Sequence, residues 1–112
     1  MARRFALGGV GASGDISTGE FAFRAVLRSR SAPELFKLVF SPGAQATEEG
    51  KLYALCGIRA TERAAFDQYA AALVSTNAEV TIQSGCIVGH RKAADVVKRI
   101  ADGVYDARVS GR

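Results

Sequence analysis

The stretch TERAAFDQYAAALVSTNAEVTIQSGCIV, residues 61–88, decides the fold class because its apolar period changes partway along. Phe66, Tyr69, Ala70 and Leu73 recur at i, i+3, i+4 and i+7, the spacing that lays one stripe along a helix. Thr61 precedes them and is the expected N-cap of that helix. Further on the period falls to two: Glu79-Val80-Thr81-Ile82-Gln83 alternates and is β-branched at its centre. Ser84-Gly85 suits a tight turn into Cys86-Ile87-Val88, so a small hairpin, or a single strand, is predicted near residues 79–88. A lone two-stranded ribbon is marginal in water, so this one must lie against helices or pair with something else.

Upstream of this stretch the helical signals repeat. Thr47-Glu48-Glu49 opens a third helix with acids at its positive end, and Leu52, Tyr53, Leu55, Cys56 and Ile58 are its apolar set. Gly50 and Gly57 each weaken that helix by ~1 kcal/mol relative to alanine, which close helix–helix approach would explain. Ser31-Ala32-Pro33-Glu34 starts a shorter helix carrying Leu35, Phe36, Leu38, Val39 and Phe40, and Ser41-Pro42-Gly43 ends it. Ser17-Thr18-Gly19-Glu20 has capping-box spacing for a helix running to about Ser29. Phe21, Ala22, Ala25 and Val26 are its expected inward stripe, with Arg24, Arg28 and Arg30 directed elsewhere.

Downstream, a helix is predicted from about Arg91 to Asp102, with Ala94, Val97, Ile100 and Ala101 on one side and Gly103 stopping it at C′. Residues 1–16, which include Gly8-Gly9-Val10-Gly11-Ala12-Ser13-Gly14-Asp15, read as a flexible glycine-rich leader, and 104–112 as a tail. The expectation is one mainly α domain over residues 17–103: a compact bundle of about five short helices with one β-hairpin or strand.

Composition agrees with a single core. The chain has 112 residues, 48% of them hydrophobic and 23% charged, which argues against general disorder. No apolar run approaches the ~20 residues of a membrane span. Near the start, Phe5-Ala6-Leu7 is cut short by Gly8-Gly9, too brief for the core of an export signal. A cytoplasmic protein is therefore expected, with Cys56 and Cys86 reduced; they could pair only if the chain were exported. The formal charge of +4 is spread among interleaved signs rather than gathered in one run.

Two resemblances attach to particular segments. Gly50-Lys51-Leu52-Tyr53-Ala54-Leu55-Cys56-Gly57-Ile58 and the helix after it resemble one unit of a HEAT- or armadillo-type helical array, over about residues 31–75. Such units bury their faces against neighbours, so the resemblance implies packing partners. Lys51-Leu52-Tyr53-Ala54-Leu55-Cys56-Gly57 and Ser84-Gly85-Cys86-Ile87 are also similar to segments of small bacterial proteins, which implies a bacterial source.

Several constellations bear on chemistry. Gly9-Val10-Gly11-Ala12-Ser13-Gly14 has the letters of a dinucleotide-binding turn. That turn requires a preceding strand and a helix starting inside it, whereas the expected cap lies later, at Ser17. Cys86 and His90 form C-x-x-x-H, and only Cys56 and Asp95 remain to complete a metal site, so no metal and no cofactor is expected. The same Cys86–His90 pair, with Arg91 and Lys92 beside it, is the best candidate for an activated thiol, because Cys56 falls on an apolar stripe. Glu48 and Glu49 are explained as dipole partners, and Asp15 and Glu20 as flanks of a cap, leaving no isolated acid–base pair.

The function expected from these readings is a non-enzymatic protein–protein interaction domain, a small subunit or adaptor with a protein partner or a second copy. The surfaces assigned are the second helix, through Leu35, Phe36 and Phe40, and the strand Glu79–Gln83, through Val80 and Ile82 acting as a sheet edge. The alternative is a basic accessory protein holding a nucleic-acid backbone through Arg24, Arg28, Lys98 and Arg99. A cysteine-dependent enzyme using Cys86 and His90 is the third reading.

Overall fold

A helix that is apolar on every side has to sit inside, and α3 (Glu48–Thr61) is such a helix: Leu52 through Ile58 are buried without interruption. In the computed structural model, which describes residues 5–7, 18–44, 46–84 and 87–110, α3 is the axis of the molecule. Around it pack α1 (Thr18–Leu27), α2 (Ala32–Leu38), α4 (Phe66–Val74), α5 (Ala93–Ala101) and a last helical turn, α6 (Asp106–Ser110). β1 (Glu79–Ser84) and β2 (Ile87–Lys92) form one antiparallel hairpin, with β1 lying against α3. The architecture is mainly α with a small hairpin. No helix among the described residues is long and apolar enough to cross a membrane.

Two details of α3 follow from local chemistry. The Thr47 side chain accepts from the Gly50 amide at 3.0 Å, so the helix starts where the sequence predicts. At Gly57 a Cβ would run into the Phe36 ring of α2, so only glycine lets that ring lie on the α3 backbone.

Other boundaries and stripes differ from expectation for reasons that can be named. α1 turns Phe23 inward and leaves Phe21 71% exposed, with Ala22 and Ala25 exposed as well, so the inward stripe is not the one predicted. The buried set is Glu20 with Phe23, flanked by half-buried Arg24 and Leu27, which is also i, i+3, i+4, i+7. Glu20 is only 1% exposed and is compensated by the Arg24 guanidinium at 2.8 Å, so a charged pair hides the stripe from a hydrophobicity reading. Ser17, the proposed cap, lies outside the described residues.

Thr61 does not cap α4. It is the last residue of α3, its hydroxyl donating to the Gly57 carbonyl at 2.7 Å, and a short 3-10 turn, Arg63–Ala65, leads into α4. Within α4 the predicted stripe holds: Phe66, Ala70 and Leu73 are buried and Tyr69 packs on Phe40 with ring centroids 5.0 Å apart.

The last predicted helix is shortened at its start. His90, Arg91 and Lys92 belong to β2, and α5 begins at Ala93, burying Ala93, Val96, Val97 and Ile100 while Ala101 is exposed. Its end is as expected. Gly103 at φ +84° donates to the Ile100 carbonyl and Val104 to that of Arg99, the paired bonds of a Schellman stop.

The chain on either side of residues 17–103 adds to the same core. Phe5, Ala6 and Leu7, assigned from sequence to the leader, are buried, and Val109 of the expected tail is buried too. Arg59 on α3 holds α6 through a two-pronged ion pair with Asp106, 2.9 and 3.1 Å. The rest of the leader, including the glycine-rich Gly9–Gly14 string, lies outside the described residues.

Candidate functional site

The hairpin register pairs Val80 with Arg91, Ile82 with Gly89 and Ser84 with Ile87. Successive residues of a strand aim their amides and carbonyls to opposite sides, so each strand has one edge toward its partner and one away. The Thr81 carbonyl accepts from the Phe5 amide at 2.8 Å and the Gln83 amide donates to the Phe5 carbonyl at 3.1 Å. Thr81 and Gln83 therefore aim outward from the hairpin, while Val80 and Ile82 aim at β2.

That outer edge of β1 is sealed. Phe5 bridges Ile82 in parallel, and the Thr81 amide donates to Glu49 Oε2 at 2.7 Å. Behind the bridge, the buried Tyr53 hydroxyl is bonded to both main-chain groups of Ala6, accepting from its amide and donating to its carbonyl, each at 2.7 Å. The Phe5 ring fills the gap between Tyr53 and Tyr105, at centroid separations of 4.9 and 5.1 Å. The expectation that the strand Glu79–Gln83 is the free edge is corrected here: β1 is flanked on both sides.

The outer edge of β2 is open. By the same alternation, Ile87, Gly89 and Arg91 bond toward β1, and Val88 and His90 aim their amides and carbonyls outward, as does the Lys92 amide; the Lys92 carbonyl, at the N-cap of α5, starts that helix. Among the described residues no strand, loop or side chain occupies that edge. Ile87 is 76% exposed and Val88 46%, and the strand continues through three basic or titratable residues, His90, Arg91 and Lys92. Basic side chains are a common device for keeping an exposed edge from pairing with its own kind.

A depression of about 540 Å³ opens beside this edge, between the hairpin and α5. Ile82, Ile87 and Gly89 supply its apolar side, and Arg91, Asp95 and Arg99 charge its wall. Gly89 faces Ile82 across the ladder, and a Cβ placed on it would meet nothing within 4 Å, so the missing side chain is what makes the space. Asp95 and Arg99 are four apart on α5 and share its face. Neither arginine comes within 4.0 Å of a carboxylate among the described residues. Glu79 and Lys92 stand opposite each other in the register and line the same depression, as does His90, whose Nδ1 is 3.4 Å from the Thr81 hydroxyl.

The residues singled out in the sequence are distributed unevenly over this frame. Phe36 and Val80 are core residues, 3% and 1% exposed, so neither presents a surface: the Phe36 ring lies on Gly57, and Val80 belongs to the buried core cluster. Phe40 is half-buried against Tyr69, Ile82 is half-buried at the depression, and Leu35 is exposed on α2. Of the basic set, Arg24 is engaged by Glu20. Arg28 is exposed at the end of α1, Lys98 is exposed on α5, and Arg99 lines the depression. α1 packs on α2 and α3 and α5 on α3, α4 and β2, so the two basic helices share α3 and otherwise have different neighbours.

For the thiol and metal readings, the proposed helical spacing of Cys86 and His90 does not apply, because residues 87–92 are strand and Cys86 lies outside the described residues. Cys56 is a buried free cysteine on α3, and burial pushes its thiol well above its ordinary value, so no thiolate forms there near neutrality. Among the described residues no three His, Cys, Asp or Glu side chains are grouped to hold a metal ion.

Two parts of this arrangement were missed by sequence reasoning. Glu49 looked like a dipole partner of its own helix, and its bond to a strand 32 residues away has no sequence signal. The β2 edge carried a signal, the basic run right after β-branched Ile87-Val88, but helix periodicity starting at Arg91 absorbed it. Comparison with protein-family models, with curated proteins and with solved structures finds no match for this chain.

Proposed function

We propose that this protein is a non-enzymatic interaction domain, a small subunit or adaptor of a bacterial cytoplasmic assembly, that receives an extended segment of a protein partner along β2. The observation carrying this reading is the contrast at the hairpin: one edge is sealed by the chain's own residues, and the other offers amides and carbonyls of Val88 and His90 and the Lys92 amide, none with a partner among the described residues. Main-chain pairing with such an edge supplies affinity, and side-chain pockets beside it supply selectivity. The depression next to Gly89 is such a pocket. A second copy is a poorer occupant, because antiparallel pairing of two β2 strands would set His90, Arg91 and Lys92 of both copies near each other.

The test is site-specific photo-crosslinking in the native cell, with the crosslinker replacing Val88 or, as a control, exposed Ala71 on α4. The expected result is a protein adduct from position 88 only, lost when His90→Pro removes an outward amide. Adducts that survive His90→Pro, adducts to nucleic acid, or no adduct at position 88 would overturn the reading.

A further inference from the structure

We infer that the segment received by β2 is acidic, placing a carboxylate side chain against Arg91 and Arg99 at the depression. This rests on the reading of β2 as a receiving edge and adds the chemistry of what it receives. A strand added beside β2 repeats its pleat, so alternate side chains fall on the face that carries Ile82, Gly89 and Arg91. The empty position at Gly89 gives those side chains room, and the guanidinium groups lining the depression are Arg91 from the strand and Arg99 from α5, with the Lys92 ammonium beside them. Neither arginine has an internal carboxylate partner within 4.0 Å among the described residues, although Asp95 and Glu79 line the same depression. Those two acids temper the attraction and keep the pocket from holding dense negative charge.

The same balance disfavours a nucleic-acid backbone, whose closely spaced phosphates would meet Asp95 and Glu79 as well as the arginines. No Phe, Tyr or Trp lines the depression among the described residues, and His90 is the one aromatic ring there for a base to stack on. A peptide instead carries amides and carbonyls able to pair with the outward groups of Val88 and His90.

The experiment titrates isotope-labelled full chain with three probes and follows the amide signals of Val88, His90 and Lys92. The probes are a capped peptide alternating valine and glutamate, its lysine counterpart, and a single-stranded oligothymidylate. The glutamate peptide is expected to move all three signals and to bind at least about tenfold more tightly than the lysine peptide at low salt. Arg99→Gln and Arg91→Gln should each weaken it by about threefold, and Asp95→Asn should tighten it. His90→Pro should abolish it. Equal binding of both peptides, still lost in His90→Pro, overturns the acidic assignment and leaves strand addition standing. No movement of the three signals with either peptide overturns both. Tighter binding of oligothymidylate that His90→Pro does not affect assigns the arginines to a phosphate backbone and also overturns the inference.

Discussion

The two outer edges of the hairpin start from the same physics and end in opposite states. On β1, the outward groups near Ile82 are taken up by the chain itself: the Thr81 carbonyl and the Gln83 amide are bonded to Phe5, and the Thr81 amide to Glu49. On β2, the equivalent groups of Val88 and His90, and the Lys92 amide, have no partner among the described residues. The sealed edge is inside, under Phe5, Tyr53 and Tyr105, where an unpaired amide costs about 1–3 kcal/mol. The open edge is outside, where water supplies the bonds and a basic strand deters unwanted pairing. The segments around Phe5 and Tyr105 thus close one side of the sheet, while the other side is left accessible among the described residues.

The comparison breaks most readily at Phe5. Phe5→Ala empties a fully enclosed ring site and should destabilise the fold by about 3–5 kcal/mol in denaturant titrations, with faster hydrogen exchange at Gln83. A loss below 1 kcal/mol would mean that the Phe5 segment does not seal β1.

Next in size is a pair of prolines one residue apart on β2. Gly89→Pro removes a ladder bond to Ile82 and should cost about 3 kcal/mol, whereas His90→Pro removes only an outward amide and should cost under about 1 kcal/mol. Equal costs in thermal or denaturant unfolding would show the assigned alternation to be out of phase.

Tyr53→Phe keeps the ring but strips the hydroxyl from both main-chain groups of Ala6, with an expected loss of about 2 kcal/mol. Hydrogen exchange should rise at Thr81 and Gln83 and stay unchanged at Gly89, since the damage is confined to the sealed edge.

The smallest effect concerns acid. The Arg59 guanidinium bonded to Asp106 holds its carboxyl below the usual carboxylate value. The pair therefore adds stability that is fully present above the ordinary carboxylate range and is lost as pH falls through the lowered folded-state value. Melting temperature should fall more between pH 7 and pH 3 in the native chain than in Asp106→Asn. Because the Asp106 side chain is 47% exposed, the difference will be small, and its absence would detach α6, and with it Tyr105, from the sealing of Phe5.

Local rules carried the reading of this chain a long way. The Thr47 cap, the Phe66–Leu73 stripe, the alternating run at β1 and the Gly103 stop each depend on residues within one or two turns of each other, and each stands where such rules put it. The failures share one cause. Glu20 and Arg24 read as surface charge because their mutual neutralisation requires a buried geometry, so the stripe of α1 was rotated onto Phe21. Arg91 and Lys92 suit a helix start as well as a strand end, and only pairing with Val80 and Glu79 places them in β2.

Element type and approximate extent were thus legible from amino-acid order, because propensity, capping and periodicity act over a few residues. Which edge of the hairpin is free depended on contacts across 47 positions between Ala6 and Tyr53 and across 32 between Glu49 and Thr81. Such contacts form only when packing brings distant groups together, and an amide's state, bonded or open, is a property of that packing rather than of its own residue.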